Sequence, residues 1–380
     1  MLTRNASINT KQMFSATSLI NYVRNDCIID YFDIVEKNKC KLDIKENDFK
    51  LIIPTVKKRS RDRTTCINKS KKIKTSFDYI VDEGYTFEHN IIRDIKTLMK
   101  TQKELNNLYE VSKYIKTDIE KFKESKQIIL NKKYDIILNA LLINKDNNTF
   151  GYPDLIVSGY WINTYINQNY SYIPNDRSKY YIIDIKSSTI NLINCGKTVS
   201  DSGLYNGYKM QIYVYKNALD TLFKNAGIIN TSNYGFILGK RYRYKNNKIT
   251  SYDYNPFNRL GAIIYTSNTD IQLSKAIEWK TTLNQEWKTY TLKPINKQEL
   301  YPNMKNTYDK NYKKLKYLVA NANKEITLLW NCGIKQRNMA IKNNIYRYDD
   351  KRLNAKKLGI NNKSSIIINK MLNMVHSKKP

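Results

Sequence analysis

Apolar residues recur at helical spacing around the end of the first quarter of the chain. Between residues 86 and 101 they follow one another at intervals of three and four, which predicts an amphipathic helix with the stripe Phe87, Ile91, Ile95 and Leu98. A second, more polar helical stretch is predicted over residues 103–127. A longer helix is predicted over residues 204–224, where apolar positions return at the same spacing.

Short apolar segments between and after these helices predict the strands of a sheet. They cover residues 134–143, 152–158, 180–186 and 234–239, and residues 262–265 resemble a fifth strand. Asp146-Asn-Asn predicts a turn between the first two strands, and residues 160–178, rich in Asn and Tyr, predict an insertion. The resulting order is α-β-β-β-α-β without internal repeats, which places the chain in the α/β class.

The two ends of the chain have a different character. Phe14-Ser-Ala-Thr-Ser-Leu opens with helix-capping residues, and the apolar spacing that follows predicts helix up to Tyr31. Residues 57–74 hold nine basic residues and one acid, which predicts a basic loop. We therefore predict an N-terminal helical segment over residues 1–83, a core over 84–245 and a mainly helical accessory region over 246–380.

The protein is much more basic than an average globular domain. Its 380 residues include 65 Lys and Arg against 34 Asp and Glu, for a net charge of +31 and a pI of about 9.7. Such an excess predicts a polyanionic partner, because Lys and Arg neutralise phosphates and release counterions. The alternative is codon bias, since the abundant Lys, Asn, Ile and Tyr all have A/T-rich codons. At 41% hydrophobic residues, the chain is able to bury a full core.

Several protein classes are poorly supported by the composition. The longest apolar runs are too short to cross a bilayer, and residues 1–13 lack a signal-peptide pattern, so we expect a soluble, intracellular protein without membrane contact. Five scattered cysteines and two histidines argue against a zinc finger, an iron–sulfur cluster or a disulfide framework. No Walker A sequence occurs, so a helicase motor would be a separate chain.

A charged pair interrupts the most apolar predicted strand. Strand alternation places Asp184 and Lys186 on one side of residues 180–186, whereas Ile183 and Ile185 point to the other side. Charges in such a position are costly unless they are paired or bound to a metal. The pair is therefore a candidate for chemistry.

Two further carboxylates fall at the ends of predicted elements. Asp154 begins the second strand, and Glu88 lies beside the apolar stripe of the first helix. Carboxylates are hard oxygen ligands that suit Mg²⁺ or Mn²⁺. A metal held by Asp154 and Asp184 would activate water and polarise a phosphodiester, and Lys186 would neutralise the transition state. The pattern predicts metal-assisted phosphodiester hydrolysis.

These residues carry a resemblance to a known family. Pro153-Asp154, followed about 30 residues later by Asp184-Ile-Lys186, resembles the signature of the PD-(D/E)XK nuclease superfamily. Gln211-Ile-Tyr-Val-Tyr215 is similar to the Q-x-x-x-Y motif of its RecB-like exonuclease branch, and residues four apart on a helix face one way. The resemblance implies a restriction-endonuclease-like core, in which helices flank a mixed α-β-β-β-α-β sheet.

The same resemblance implies a role for each matched position. Mg²⁺ or Mn²⁺ would be held by three carboxylates and one main-chain carbonyl: Glu88, Asp154, Asp184 and Ile185. Lys186 would be the catalytic lysine, and Gln211 and Tyr215 would contact DNA near the scissile phosphate. His89 adjoins the acidic helix position, where the family often has a histidine, either as a ligand or, as we favour, as a neighbour.

The chain departs from the family pattern in two places. The cysteines that hold an iron–sulfur cluster in some relatives are missing after the Q-x-x-x-Y helix, so we expect no cluster and interpret Cys27 as a core residue. Residues 325–345 look distantly like a helix-hairpin-helix element, with Asn331 where a glycine is expected. A plain helical packing module is an equally good hypothesis for that segment.

We therefore expect a metal-dependent DNA nuclease, with the Q-x-x-x-Y motif favouring exonuclease or end-processing activity. Its partners would be DNA and, as separate chains, helicase, replication or recombination proteins. The alternative is a non-catalytic nucleic-acid-binding or packaging protein built on a nuclease fold. The Asn-, Lys-, Ile- and Tyr-rich composition also resembles that of proteins from A/T-rich giant DNA viruses.

Overall fold

The structure is a computed structural model of the full chain. It describes residues 10–45, 48–52, 76–112, 114–115, 117–193, 196–230, 232–246 and 249–377. The predicted basic loop at residues 57–74 lies outside the described residues. No helix in the described part is long and apolar enough to cross a membrane.

The described residues form ten α-helices and thirteen strands. The helices are α1 (Ile20–Val23), α2 (Ile28–Lys37), α3 (Ser76–Thr101), α4 (Asp118–Asn131), α5 (Gly159–Tyr165), α6 (Asn206–Lys224), α7 (Ser267–Glu286), α8 (Lys313–Ala322), α9 (Ile334–Lys342) and α10 (Ser364–Ser377). The strands are β1 (Phe14–Ser15), β2 (Lys41–Lys45), β3 (Asp48–Ile52), β4 (Leu108–Glu110), β5 (Ile136–Leu138), β6 (Leu142–Asn144), β7 (Thr149–Gly151), β8 (Leu155–Ser158), β9 (Tyr180–Ile193), β10 (Thr198–Val199), β11 (Tyr234–Asn246), β12 (Ile249–Asp253) and β13 (Gly261–Ile264).

The chain divides into two compact units, and each draws on separate parts of the sequence. Unit 1 comprises residues 1–20 and 70–277, and unit 2 comprises residues 21–69 and 278–380. These bounds differ from the predicted regions 1–83, 84–245 and 246–380. Both termini of the predicted core are extended in unit 1, and part of the N-terminal segment belongs with the C-terminal region in unit 2.

A large mixed sheet forms the centre of unit 1. Its eight strands run in the order β12-β11-β13-β10-β9-β8-β5-β4, and β11 additionally pairs with β9. The central strand β9 is antiparallel to β8 and parallel to β11. Alternate side chains of β9 point to opposite faces, and α3 packs on one face and α6 on the other. The predicted α/β class, with a mixed sheet flanked by helices, is confirmed at this level.

The apolar face of β9 supports the predicted amphipathic helix. Ile183 and Ile185 are buried together with Ile91 and Ile95 of α3. The helix begins ten residues earlier than predicted, at Ser76, and ends at the predicted position. On the other face of β9, α6 starts close to the predicted residue and ends at Lys224.

Three predicted elements differ from the structure. Residues 134–143 are not one strand: β5 and β6 belong to different sheets, and Asn139 between them has a left-handed φ of 57°, which Asn tolerates. Residues 103–127 are not one helix either, because β4 pairs with β5 there before α4 begins. The predicted insertion at residues 160–178 begins inside a short helix, α5, and contains all of this helix except its first residue.

A buried ionic network characterises unit 2. Lys316 is fully buried, and its Nζ lies 2.9 Å from Asp26 Oδ2 and 3.1 Å from Asp309 Oδ2. The same ammonium group donates to the carbonyl oxygen of Asn306 at 2.8 Å. A buried charge is tolerated only when it is paired and hydrogen-bonded. The network therefore depends on residues 21–45 packing with the C-terminal region.

The segment that resembles a helix-hairpin-helix element contains α9, which a turn separates from a short 3₁₀ helix, Ile326–Leu328. Asn331 in this turn has a φ of 55°, the left-handed conformation that a glycine would otherwise supply. Cys332 and Cys27 are both buried in unit 2, as expected for Cys27 as a core residue. A role of this turn in DNA binding stays a prediction.

Candidate active site

The first carboxylate, that of Asp154, lies in the gap between two strands. β7 ends at Gly151 and β8 begins at Leu155. Pro153 lies in the gap, where its missing N–H cannot interrupt a ladder of hydrogen bonds. Asp154 follows as the last residue before β8, and Leu155 pairs with Ile183. Asp154 is thereby brought to the level of Asp184 on the neighbouring strand.

Asp154 continues the hydrogen bonding of β9 beyond the first residue of β8. The main-chain N–H of Ile185 donates to Asp154 Oδ2 at 2.6 Å. This amide lies two residues beyond the pairing of Leu155 with Ile183, so a side chain takes the place of a ladder carbonyl. The contact fixes the Asp154 carboxylate beside the catalytic candidates of β9.

Asp184 and Lys186 form an ion pair on the face of β9 that is turned to α6. The Lys186 ammonium contacts Asp184 Oδ2, and the Asp184 side chain is completely buried. The Lys186 ammonium is therefore both the charged partner and a hydrogen-bond donor of this buried carboxylate. The predicted placement of the two residues on one side of the strand is confirmed.

Gln211 of α6 connects both charged groups. Its Nε2 donates to Asp184 Oδ1 at 3.5 Å and to the Tyr215 hydroxyl at 2.9 Å. Its Oε1 accepts from Lys186 Nζ at 3.4 Å. One amide therefore orients the acid and the base of the pair at the same time.

Tyr215 is buried, and its ring fills space that only a glycine leaves open. A Cβ on Gly151 would lie 2.1 Å from the ring of Tyr215. The structure therefore places the Tyr215 hydroxyl behind Gln211, where it holds the amide. Direct contact of Gln211 and Tyr215 with DNA, which the resemblance implies, stays a prediction.

Glu88 and His89 take different positions on α3. Glu88 is half-buried, and its charge acts on the pKa of Asp154 and of Tyr215, so it belongs to the same electrostatic environment. His89 is exposed, and its Nδ1 lies 2.8 Å from the carbonyl oxygen of Tyr85, within hydrogen-bond distance. His89 lines a groove with basic residues of α3. The structure thus places His89 as a neighbour of the acidic position.

Burial raises the pKa of the Asp154 carboxyl well above its usual range, and the charges of Asp184 and Glu88 raise it further. Lys186 and the Ile185 amide act in the opposite direction. For Lys186, burial lowers the pKa, but the charges of Asp184 and Asp154 outweigh it, so its pKa is raised. The lysine is therefore protonated at neutral pH.

Asp154→Asn is expected to stabilise the folded protein in EDTA by on the order of 1 kcal/mol at pH 7. An unfolded Asp ionises near pH 3.9, whereas folding raises the pKa of Asp154, so wild-type stability falls as pH rises above about 4. Asparagine removes this titration and still accepts from Ile185. Urea unfolding between pH 4 and 8 measures the difference, which should shrink towards pH 4; a variant that is less stable at every pH would contradict it.

The donor set fits a small divalent cation. Mg²⁺ commonly binds one or two protein carboxylates and keeps several waters. Asp154 and Asp184 supply those carboxylates, and their mutual repulsion is what a cation relieves. Within the part of the chain that the structure describes, no group of three or more His, Cys, Asp and Glu side chains is arranged to hold a metal ion. Glu88 and the Ile185 carbonyl as further ligands stay predictions.

Comparison with known proteins does not extend this description. No protein-family model matches the chain, and no curated protein matches it. The geometry and chemistry of the site therefore carry the functional argument.

Two residues of the site were not identified from the sequence. Tyr208 lies one turn before Gln211, and the Lys186 ammonium is 5.1 Å from the centre of its ring. Gly151 makes room for Tyr215. A signal for Tyr208 was present, because Tyr208, Gln211 and Tyr215 share one helix face at i, i+3 and i+7. Nothing local to Gly151 reveals the ring that packs against it.

Proposed function

We propose that this protein is a metal-dependent DNA nuclease with a restriction-endonuclease-like core of the RecB-like branch. The observation that carries the proposal is a cluster of three charged groups. Asp184 and Lys186 of β9 contact the Gln211 amide of α6, and Asp154, directly before β8, accepts from the main-chain N–H of Ile185 between them. A buried acid–base cluster with a strongly perturbed carboxyl pKa is typical of a functional site. The net charge of +31 supports a polyanionic substrate.

The side chains of the site divide the work of phosphodiester hydrolysis. Asp154 and Asp184 would hold Mg²⁺ or Mn²⁺, assisted by Glu88 and the Ile185 carbonyl. When bound, the metal supplies Lewis acidity and an activated water. Lys186 remains protonated and stabilises the charge that develops on the phosphoryl oxygens.

Helix α6 covers the site and positions its charged groups. Gln211 holds the Lys186 ammonium and the Asp184 carboxylate in fixed orientations, and Tyr215 holds Gln211. Tyr208 places its ring face beside the same ammonium group and favours its positive charge. A pre-organised lysine needs no rearrangement when charge develops on the substrate.

Cleavage of labelled DNA tests the proposal by metal removal. Purified protein is expected to degrade linear DNA with Mg²⁺ or Mn²⁺, and excess EDTA should lower the rate at least 100-fold, to background. Comparison of linear with covalently closed circular DNA separates end-dependent from internal cleavage, and we expect activity on the linear form. Tight, salt-sensitive binding without any metal-dependent product would contradict the proposal and favour the non-catalytic alternative.

A further inference from the structure

A two-stranded ribbon of unit 1 carries a face on which cations and aromatic rings alternate. β11 and β12 pair antiparallel, and Arg243 lies directly opposite Tyr252. Cross-strand partners share a face, and alternate residues of one strand do as well. Arg241, Arg243 and Lys245 therefore lie on the side of the ribbon that also carries Tyr252.

This face is open to solvent. All three cations are exposed, and Tyr252 and Tyr254 are 49% and 69% exposed. The two tyrosine rings lie 6.4 Å apart with an angle of 26° between their planes, close to a stacked arrangement. Single tyrosines on a surface are ordinary, but an ordered pair of rings beside a row of cations is the combination that binds unpaired nucleotides.

The opposite face of the ribbon packs against the rest of unit 1. Tyr242 is completely buried there, and Asp253 forms an ion pair of 3.0 Å with Arg259. β11 is also held to β9, where Arg241 donates to the Thr189 hydroxyl. The exposed rings and cations are therefore presented by a fixed backbone.

The ribbon continues from the candidate active site. In the parallel pairing of β11 with β9, Gly239 lies opposite Lys186. Arg243 follows four residues later, beyond a register shift between Gly239 and Arg241, about 13 Å further along the strand. That distance corresponds to roughly four stacked nucleotides at 3.4 Å each. A nucleic-acid strand on the ribbon is thus within a few nucleotides of Lys186.

We propose that the exposed face of the β11–β12 ribbon binds the single-stranded DNA segment next to the scissile phosphate. Bases stack on Tyr252 and Tyr254, and Arg243 and Lys245 contact the phosphates. Unpaired bases are required, because stacking on a side chain needs a free π-face. This inference rests on the proposed nuclease function, for which it names a strand with unpaired nucleotides as the substrate.

Binding without metal tests the ribbon independently of cleavage. The probe is a fluorescein-labelled 12-residue oligothymidylate in EDTA, followed by fluorescence anisotropy. Tyr252→Ala/Tyr254→Ala is expected to raise Kd at least tenfold, whereas Tyr252→Phe/Tyr254→Phe should stay within twofold because phenylalanine also stacks. Arg243→Gln/Lys245→Gln should make the slope of log K against log salt shallower by about 1.4. Lys224→Gln, an exposed lysine of α6, is the matched control and should change nothing.

Photo-crosslinking on the wild-type protein provides a readout that needs no variant to fold. The same oligonucleotide with 5-iodouracil is expected to attach to the tryptic peptide of residues 249–259, which contains both tyrosines. Equal Kd values for the alanine and phenylalanine pairs, crosslinks confined to other peptides, or tighter binding of duplex DNA would each overturn the ribbon assignment. Ribbon-dependent binding in a protein that cleaves no DNA with Mg²⁺ or Mn²⁺ would instead overturn the nuclease proposal and support the ribbon.

Discussion

Asp184→Asn is expected to lower the rate of metal-dependent DNA cleavage by at least about 10³-fold. Asparagine keeps the shape of the side chain and still accepts a hydrogen bond from Gln211. It removes the buried negative charge that pairs with Lys186 and that, in the proposed mechanism, would hold the cation. Loss of several kcal/mol of transition-state stabilisation corresponds to about three orders of magnitude in rate.

Single-turnover cleavage of labelled linear DNA with Mn²⁺ measures this effect. Asp201→Asn is the matched control, since Asp201 is 89% exposed and pairs with Lys209 at 2.7 Å on the same unit. The control should retain the wild-type rate within about twofold. If Asp184→Asn cleaved as fast as the control, Asp184 would have no place in the reaction.

Lys186→Ala is expected to lower kcat by about 10²- to 10³-fold while KM changes little, because the ammonium stabilises charge that develops only in the transition state. Lys186→Arg should restore only part of the rate, since the planar guanidinium cannot occupy the position of a compact ammonium group between Asp184 and Gln211. Lys209→Ala, which removes another ion-paired lysine of the same unit, serves as the control.

The affinity for Mn²⁺ distinguishes the role of Lys186 from that of Asp184. In the folded protein the Lys186 ammonium contacts the same carboxylate that is to bind the cation. Lys186→Ala is therefore expected to bind Mn²⁺ at least as tightly as wild type in calorimetry, whereas Asp184→Asn should bind it more weakly. A lysine variant that lost both cleavage and Mn²⁺ binding would show that Lys186 maintains the site instead of taking part in the reaction.

Local spacing was sufficient to predict part of this site. Asp184 and Lys186 are two residues apart on an apolar strand, and a period of two places both on one side in any sheet. Gln211 and Tyr215 are four apart on a helix and share a face because a helical turn takes 3.6 residues. The structure confirms both placements and adds a division of roles, in which Tyr215 is buried and Gln211 contacts the charged pair.

Local sequence patterns could not predict the contacts between segments that are distant in the sequence. The bond from Ile185 to Asp154 requires β8 to begin one residue after the aspartate and to pair with β9 in one register. Tyr215 requires a glycine at position 151, 64 residues earlier in the chain, because a Cβ there would overlap its ring. The residues adjacent to each partner do not encode these requirements.

The sequence by itself determined the α/β class, the faces of β9 and α6, and the identity of the charged residues, since each depends on local periodicity or residue chemistry. Only the tertiary structure decided which strands meet, that residues 21–45 belong with the C-terminal region in unit 2, and that one face of the β11–β12 ribbon is exposed. These features depend on strand register and on burial against distant residues. Both are properties of the whole fold, in which a shift by one residue turns every side chain of a strand to the other face.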